Sequence, residues 1–239
     1  MSIEGTAVSQ KYKDLYSDYY ADGAGDQKRS LAADMCFQHI ADLVGGALFV
    51  TVADVGAGQG SLVEKMSRAG FGSSITALEI STSGLHRIAS RSLPNVSIRP
   101  FDGYHANLPD KAFDLAVSMH VLEHVEHERM FLSELKRIAR SVVIEVPLEL
   151  TDNPEPRIAL QRPYGHINFY TPGSFKNLLE TCGFKISALK IYPYSDQYAA
   201  YVDGRFGVLK NSARSLLLRL WPTFATRKAV YSCTAYCEC

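Results

Sequence analysis

Two groups of residues in this chain have the types and spacing needed for chemistry. The first is Val52-Ala-Asp-Val-Gly-Ala-Gly-Gln-Gly60, where an apolar strand runs into glycines at alternate positions and then toward a helix. Such glycines let the backbone turn sharply and bring its N–H groups against a ligand, which any Cβ would hold away. Glu79 follows near the end of the next apolar run, Ser74-Ile-Thr-Ala-Leu-Glu-Ile80, where an open α/β sheet places a ribose-binding carboxylate. One carboxylate can accept from two vicinal hydroxyls. The second group is His120-Val-Leu-Glu-His124, with His166 further along. His120 and His124 are one helical turn apart, and Glu123 joins His120 on the same face. Histidine is the natural base near neutral pH, so His120 or His166 could deprotonate a hydroxyl acceptor.

The elements that must position these residues read as an alternation. Strands are predicted near 49–55, 74–80, 96–101, 113–119 and 141–147, with helices near 27–44, 60–69, 82–91, 127–140 and 172–182. Continuous apolar strands alternating with helices imply a parallel sheet. Two later runs, 184–191 and 229–236, alternate in strand fashion. The loop's cofactor follows from its departures. Ser61 stands where a dinucleotide fingerprint has its last glycine, and Asp54 opens the loop, where a carboxylate would repel a pyrophosphate. A cationic sulfonium or ammonium group suits Asp54 better.

On these residues the chain resembles the Rossmann-like, class I S-adenosylmethionine-dependent methyltransferases, whose first motif is an acid followed by G-x-G-x-G. The resemblance is carried further by Ala77-Leu-Glu-Ile-Ser81, Phe101-Asp102-Gly103, Phe113 to Val125 and Gly165-His-Ile-Asn-Phe-Tyr-Thr-Pro172. It covers roughly residues 27 to 195 and the last strand. It implies a doubly wound α/β fold with a seven-stranded sheet, mostly parallel with one antiparallel strand, and helices on both faces. It assigns Asp54, Gly56, Ala57, Gly58 and Gly60 to the methionine side and Glu79 to the ribose. Asp102 is expected at the adenine amino group with Ile80 and Gly103 beside it, and Ser118 completes the cofactor set. His120, Glu123, His124 and His166 form the expected catalytic group. Related quinone-biosynthesis and small-RNA 2′-O-methyltransferases bind a divalent ion through an acid, then an acid and a histidine, and the RNA enzymes add a later histidine. Here His120 replaces the first acid, which disfavours Mg²⁺ because that ion prefers oxygen ligands.

Composition narrows the function. The chain has 239 residues with 25 Lys+Arg and 25 Asp+Glu, so no net field draws it to nucleic acid, and a small-molecule methyl acceptor is the expected partner. No apolar stretch reaches a membrane span and no leader pattern opens the chain, so a cytoplasmic protein is expected. Five cysteines without a C-x-x-C pair read as reduced thiols. The domain reading is a helical lid over 1–45, a core over 46–194 and 228–239, and a helical insertion over 195–227. In the lid, Tyr12, Tyr16, Tyr19 and Tyr20 fall at helical spacing. Two segments face substrate: the proline-punctuated stretch 147–165, and the insertion, whose apolar helix at 206–221 must cover a pocket, a second copy in a homodimer, or a membrane surface. Within this class an RNA 2′-O-methyltransferase with a metal site stays open through Glu123, His124 and His166; outside it, the alternatives are a non-catalytic methyltransferase-like binding module and a nicotinamide oxidoreductase.

Overall fold

The computed structural model describes residues 8–9, 14, 16–23 and 25–239, so Tyr12 lies outside the described residues. Seven strands form one sheet in the order β3-β2-β1-β4-β5-β7-β6. They are β1 Thr51–Val55, β2 Ser74–Glu79, β3 Val96–Pro100, β4 Phe113–Met119, β5 Ala139–Pro147, β6 Lys185–Tyr192 and β7 Ser232–Glu238. Strands β1 to β5 pair in parallel, and β7 runs antiparallel to both neighbours. The order reverses between β1 and β4, and ligands of open α/β sheets bind at the carboxyl ends of such a switch point.

Alternation along each central strand divides the core in two. Val52, Ile75, Leu115, Val117 and Val143 face one side, packed with Ile40 of α1 (Asp26–Val44), Met66 of α2 (Ser61–Arg68) and Ile88 of α3 (Thr82–Ser90). Val55, Leu78, Ala116, Val142 and Ile144 face the other, against Phe131 and Leu135 of α4 (Glu128–Ile138) and Leu179 of α6 (Pro172–Thr181). Helices therefore cover both faces. The start of α6 is set locally: Thr171 caps Ser174, and the Ser174 hydroxyl in turn accepts from the Thr171 N–H.

Several boundaries differ from the sequence reading. The stretch 147–165, expected as a loop, contains α5 (Pro154–Gln161), with Pro154 at its first position, where a missing N–H costs nothing. The helix expected over 206–221 forms as α8 (Gly207–Leu220), and two further helices, α7 (Asp196–Asp203) and α9 (Pro222–Lys228), flank it. The last strand accordingly begins at Ser232 rather than near 229, because α9 runs on to Lys228. Tyr231, fully buried, ties this region down by donating to the Arg214 carbonyl at 3.0 Å. On α1, Leu31 is only half-buried, whereas Cys36 and His39 are buried. No described helix is long and apolar enough to cross a membrane.

Candidate functional site

A cavity of about 350 Å³ opens at the carboxyl ends of β1, β2 and β4. Of the residues expected from sequence, Asp54, Gly56, Ala57, Gly58, Glu79, Ile80, Gly103, His120 and His124 line it. Its roof comes from the N-terminal segment, through Tyr16, Tyr19, Tyr20 and Arg29. Five expected residues are placed otherwise, His166 among them. Gly60 caps α2 in the left-handed region, at φ 85°, and a Cβ there would strike Ile88 at 2.7 Å, so its role is to turn the chain into the helix. Asp102 is exposed and outside the lining, its Oδ1 accepting from the Tyr104 and His105 N–H groups at 2.8 and 2.6 Å. A short polar side chain after β3 bonds its own following backbone more readily than it reaches across a pocket. Ser118 is buried within β4, off the cavity, and its hydroxyl has no partner there. Glu123 is buried behind the lining.

The glycine loop needs its glycines. Gly56 and Gly58 have φ of 84° and 56°, and a Cβ would meet Val121 at 2.5 Å in the first case and the Tyr20 hydroxyl at 2.9 Å in the second. The Gly58 N–H donates to Glu79 Oε2 at 2.7 Å, and the Ser81 N–H to Glu79 Oε1 at 2.8 Å. These bonds leave lone pairs on both carboxylate oxygens for a ligand. Beside them Asp54 is 2 % exposed and its Oδ2 has no partner. Burial, with Glu79 adding to it, pushes the Asp54 carboxyl up to about 8. An unsatisfied buried carboxyl facing a cavity fits a cationic ligand group.

That shift has a consequence for the ligand-free protein. In the unfolded chain Asp54 ionises from 3.8, whereas the folded state holds its proton to about 8. Its contribution is therefore greatest below 3.8 and is lost as pH rises through 8. Asp54→Asn keeps the shape without the charge and should raise the ligand-free Tm at pH 8 by several degrees, at about 2–4 °C per kcal/mol. Differential scanning calorimetry at two pH values checks this: the gain should shrink at pH near 4, and a pH-independent difference would rule the shift out.

The histidine half rests on a carboxylate that sequence reasoning missed. Glu145, at 0 % exposure in β5, accepts from His39 Nδ1 at 2.7 Å, His120 Nε2 at 2.9 Å and Thr234 Oγ1 at 2.5 Å. His120 Nδ1 faces Glu123 Oε1 at 3.3 Å. Burial opposes a charge on His120, but Cys36, Glu123 and Glu145 outweigh it and hold the imidazolium well above its ordinary range. With both ring nitrogens turned to carboxylates, His120 is a fixed cation and a poor base, contrary to the expectation from sequence. Its backbone sits at φ 57°, left-handed, which His tolerates better than most residues. The available signal was Glu145 itself, a charge inside the apolar run Val142-Val-Ile-Glu-Val146, where a buried carboxylate must find partners.

Removing Glu145 should be costly. Glu145→Ala leaves the buried His39 and the half-buried His120 without their acceptor and should lower unfolding free energy by about 3–5 kcal/mol, read by urea denaturation. The carboxyl is depressed, through burial overcome by His120 and His39, so its contribution is present above 4.5 and is lost as pH falls through the depressed value. The raised His120 sets the opposite edge: its contribution is complete below 6.5 and is lost as pH rises through its folded-state value.

His124 and His166 form a second cluster. The Ile167 and Asn168 N–H groups both donate to the Glu123 carbonyl, and Asn168 Nδ2 donates to Leu122 and Val125 carbonyls, pinning the segment after β5 onto the 3-10 turn Leu122–His124. The two imidazoles meet edge to face, 4.7 Å between centroids. His124 Nδ1 bonds the Tyr16 hydroxyl at 2.9 Å, and His166 Nδ1 bonds Glu149 Oε2 at 2.7 Å. Burial lowers the His124 pKa, and the charges of His166 and His120 lower it further against Glu123, so the ring is neutral at pH 7. His166 itself stands off the cavity lining. Ligand atoms of Glu123, His124 and His166 lie within 4.8 Å of one another, a two-nitrogen, one-oxygen set suited to a transition ion more than to Mg²⁺.

A family model described as a methyltransferase domain matches residues 23–189. The chain belongs to this family and is an S-adenosylmethionine-dependent methyltransferase of class I fold. No curated protein matches the chain significantly. Among solved structures, it resembles a chain from the complex containing the Haloferax volcanii Trm112 methyltransferase activator. The identity is 12 %, with 98 % of this chain and 100 % of that chain covered and a TM-score of 0.67. An S-adenosylmethionine-dependent methyltransferase from Aquifex aeolicus is 14 % identical over 96 % of this chain and 98 % of its own, with a TM-score of 0.55. Haemonchus contortus phosphoethanolamine N-methyltransferase 2 is 12 % identical over 90 % of this chain and 53 % of its own, at 0.61. At these identities the likeness is one of fold. The orphaned Asp54 oxygen and the glycine cradle fit the cationic methionine end of the family's cofactor, and Glu79 fits its ribose.

Proposed function

We propose that this enzyme methylates an oxygen or nitrogen of a small molecule, with His124 as the base. One observation carries the reading: the glycine loop, the neutral His124 and the tyrosine roof share a single cavity of about 350 Å³. A roofed cavity of this size suits a small acceptor better than a polymer, which needs an open groove. When bound, S-adenosylmethionine supplies an electrophilic methyl group on a sulfonium. The chain's work is then alignment and proton removal. Asp54 faces the cationic end, the 56–58 backbone approaches the methionine portion, Glu79 takes the ribose hydroxyls, and Ile80 and Gly103 flank the adenine. Asp102 contributes by shaping the turn that presents Gly103. His124 accepts the acceptor's proton, oriented by Tyr16, while His120 stays charged and Glu123 balances it. The Haemonchus relative, solved with phosphomonomethylethanolamine, is an example of a small acceptor on this fold.

The test is calorimetric titration with S-adenosylmethionine beside NADH, followed by a mass-spectrometric screen of small hydroxyl and amine acceptors. Micromolar binding of the sulfonium alone, worth about 8 kcal/mol, with methyl incorporation into a small acceptor supports the reading. Binding without turnover on any acceptor favours a methyltransferase-like binding module, and NADH binding favours an oxidoreductase. The Glu123, His124 and His166 set motivates one variation, an RNA 2′-O-methyltransferase with a metal site. Activity on RNA that collapses with chelator and returns with a transition ion would replace the small-molecule reading.

A further inference from the structure

Helix α8 has two distinct faces. Its inner face is packed and bonded: Leu217 and Leu218 lie against the core, and Gly207 packs so tightly on α7 that a Cβ would stand 2.1 Å from the Ala199 carbonyl oxygen. Asn211 Nδ2 donates to the Tyr194 carbonyl at 2.7 Å and to Asp196 Oδ1 at 2.8 Å, and the Ser215 hydroxyl to the Asn211 carbonyl at 2.9 Å. The outer face is apolar. Leu209, Leu216 and Leu220, spaced along one side of the helix, are 71 %, 58 % and 51 % exposed. Phe206 precedes them, and Trp221 and Phe224 follow, each at least half exposed. Exposed apolar groups on this scale mark an interaction surface.

Charge says what kind. Residues 195–228 hold six Lys and Arg against two Asp, although the whole chain balances at 25 and 25, so the remainder is acidic. Arg205 and Arg219 are exposed on the apolar side, and neither forms an ion pair with a described residue. A second copy meeting this surface about a two-fold axis would bring the same cations together, which costs energy. A flat anionic surface meets leucines, aromatic rings and arginines at once, the composition of helices that lie in a bilayer interface.

We propose that the outer face of α8, with Phe206, Trp221 and Phe224, docks on an anionic lipid bilayer. This stands apart from the choice of methyl acceptor. Trp221 is the chain's one tryptophan, so its emission reports this surface directly. The wild-type protein is titrated with phosphatidylcholine vesicles and with phosphatidylcholine–phosphatidylserine vesicles. The expected result is a blue shift of emission with the anionic vesicles, far weaker with neutral ones and reduced by salt. Arg205→Gln with Arg219→Gln should weaken anionic-vesicle binding about thirtyfold, from about fivefold per cation. Leu216→Ser with Leu220→Ser should abolish it, while both variants keep the wild-type circular dichroism and cofactor titration. The proposal is overturned if neither vesicle shifts the emission, if neutral and anionic vesicles act alike, or if the wild type is a dimer that the leucine variant converts to monomer.

Discussion

Gly58→Arg is expected to abolish S-adenosylmethionine binding, with a loss of at least about a thousandfold, or ~4 kcal/mol. Three effects add. Gly58 sits at φ 56°, where a side chain is strained by about 1–2 kcal/mol. Its Cβ would press on the Tyr20 hydroxyl at 2.9 Å and on Cζ at 3.3 Å, lifting the roof of the cavity. An arginine there also presents a cation where the buried Asp54 awaits one. Gly58→Ala separates these terms, since it keeps the strain and the Tyr20 contact but adds no charge; about a tenfold loss is expected. Calorimetric titration measures both. Affinity unchanged in Gly58→Arg would remove the glycine loop from cofactor binding, provided the variant's Tm shows it folded.

His124→Ala should lower kcat by about 10²–10⁴-fold and leave cofactor affinity within error, because the imidazole lines the cavity and in the proposed role acts on the acceptor's proton. Its pKa, lowered first by burial, lies below the ordinary 6.5 of an imidazole. The wild-type kcat should therefore rise with pH through a point below 6.5 and then level off. Tyr16→Phe, which removes the 2.9 Å bond to His124 Nδ1, should lower kcat less and shift that inflection. If His166→Ala abolishes turnover and His124→Ala does not, the base is His166 and the proton path runs through Glu149.

The glycine loop was legible in the sequence because its chemistry is local: glycines at 56, 58 and 60 and an acid at 54 specify a backbone shape within seven residues. Glu79 was legible for a related reason, since one strand, one helix and one strand span a nearly constant length in an open α/β sheet. At Asp102 spacing alone did not show that two backbone N–H groups close by engage Oδ1 and that the residue lies outside the cavity lining. By contrast, the apolar pattern over 206–221 did mark α8 (Gly207–Leu220), which ends where Trp221 leaves the helical range at φ −141°.

What the sequence by itself determined is the order of elements, the glycine-rich loop after β1, and the histidines near it. Periodicity and glycine placement act between residues a few positions apart, so they survive without knowledge of the fold. What only the tertiary structure decided is the protonation of those histidines. His120 and His124 differ by four positions, yet one is held charged by Glu145 and Glu123, and the other is kept neutral by burial beside Tyr16 and His166. Charge on an imidazole depends on partners within a few ångströms, and here those partners come from β5, the N-terminal segment ahead of α1 and the segment after β5, more than twenty residues away in every case but Glu123.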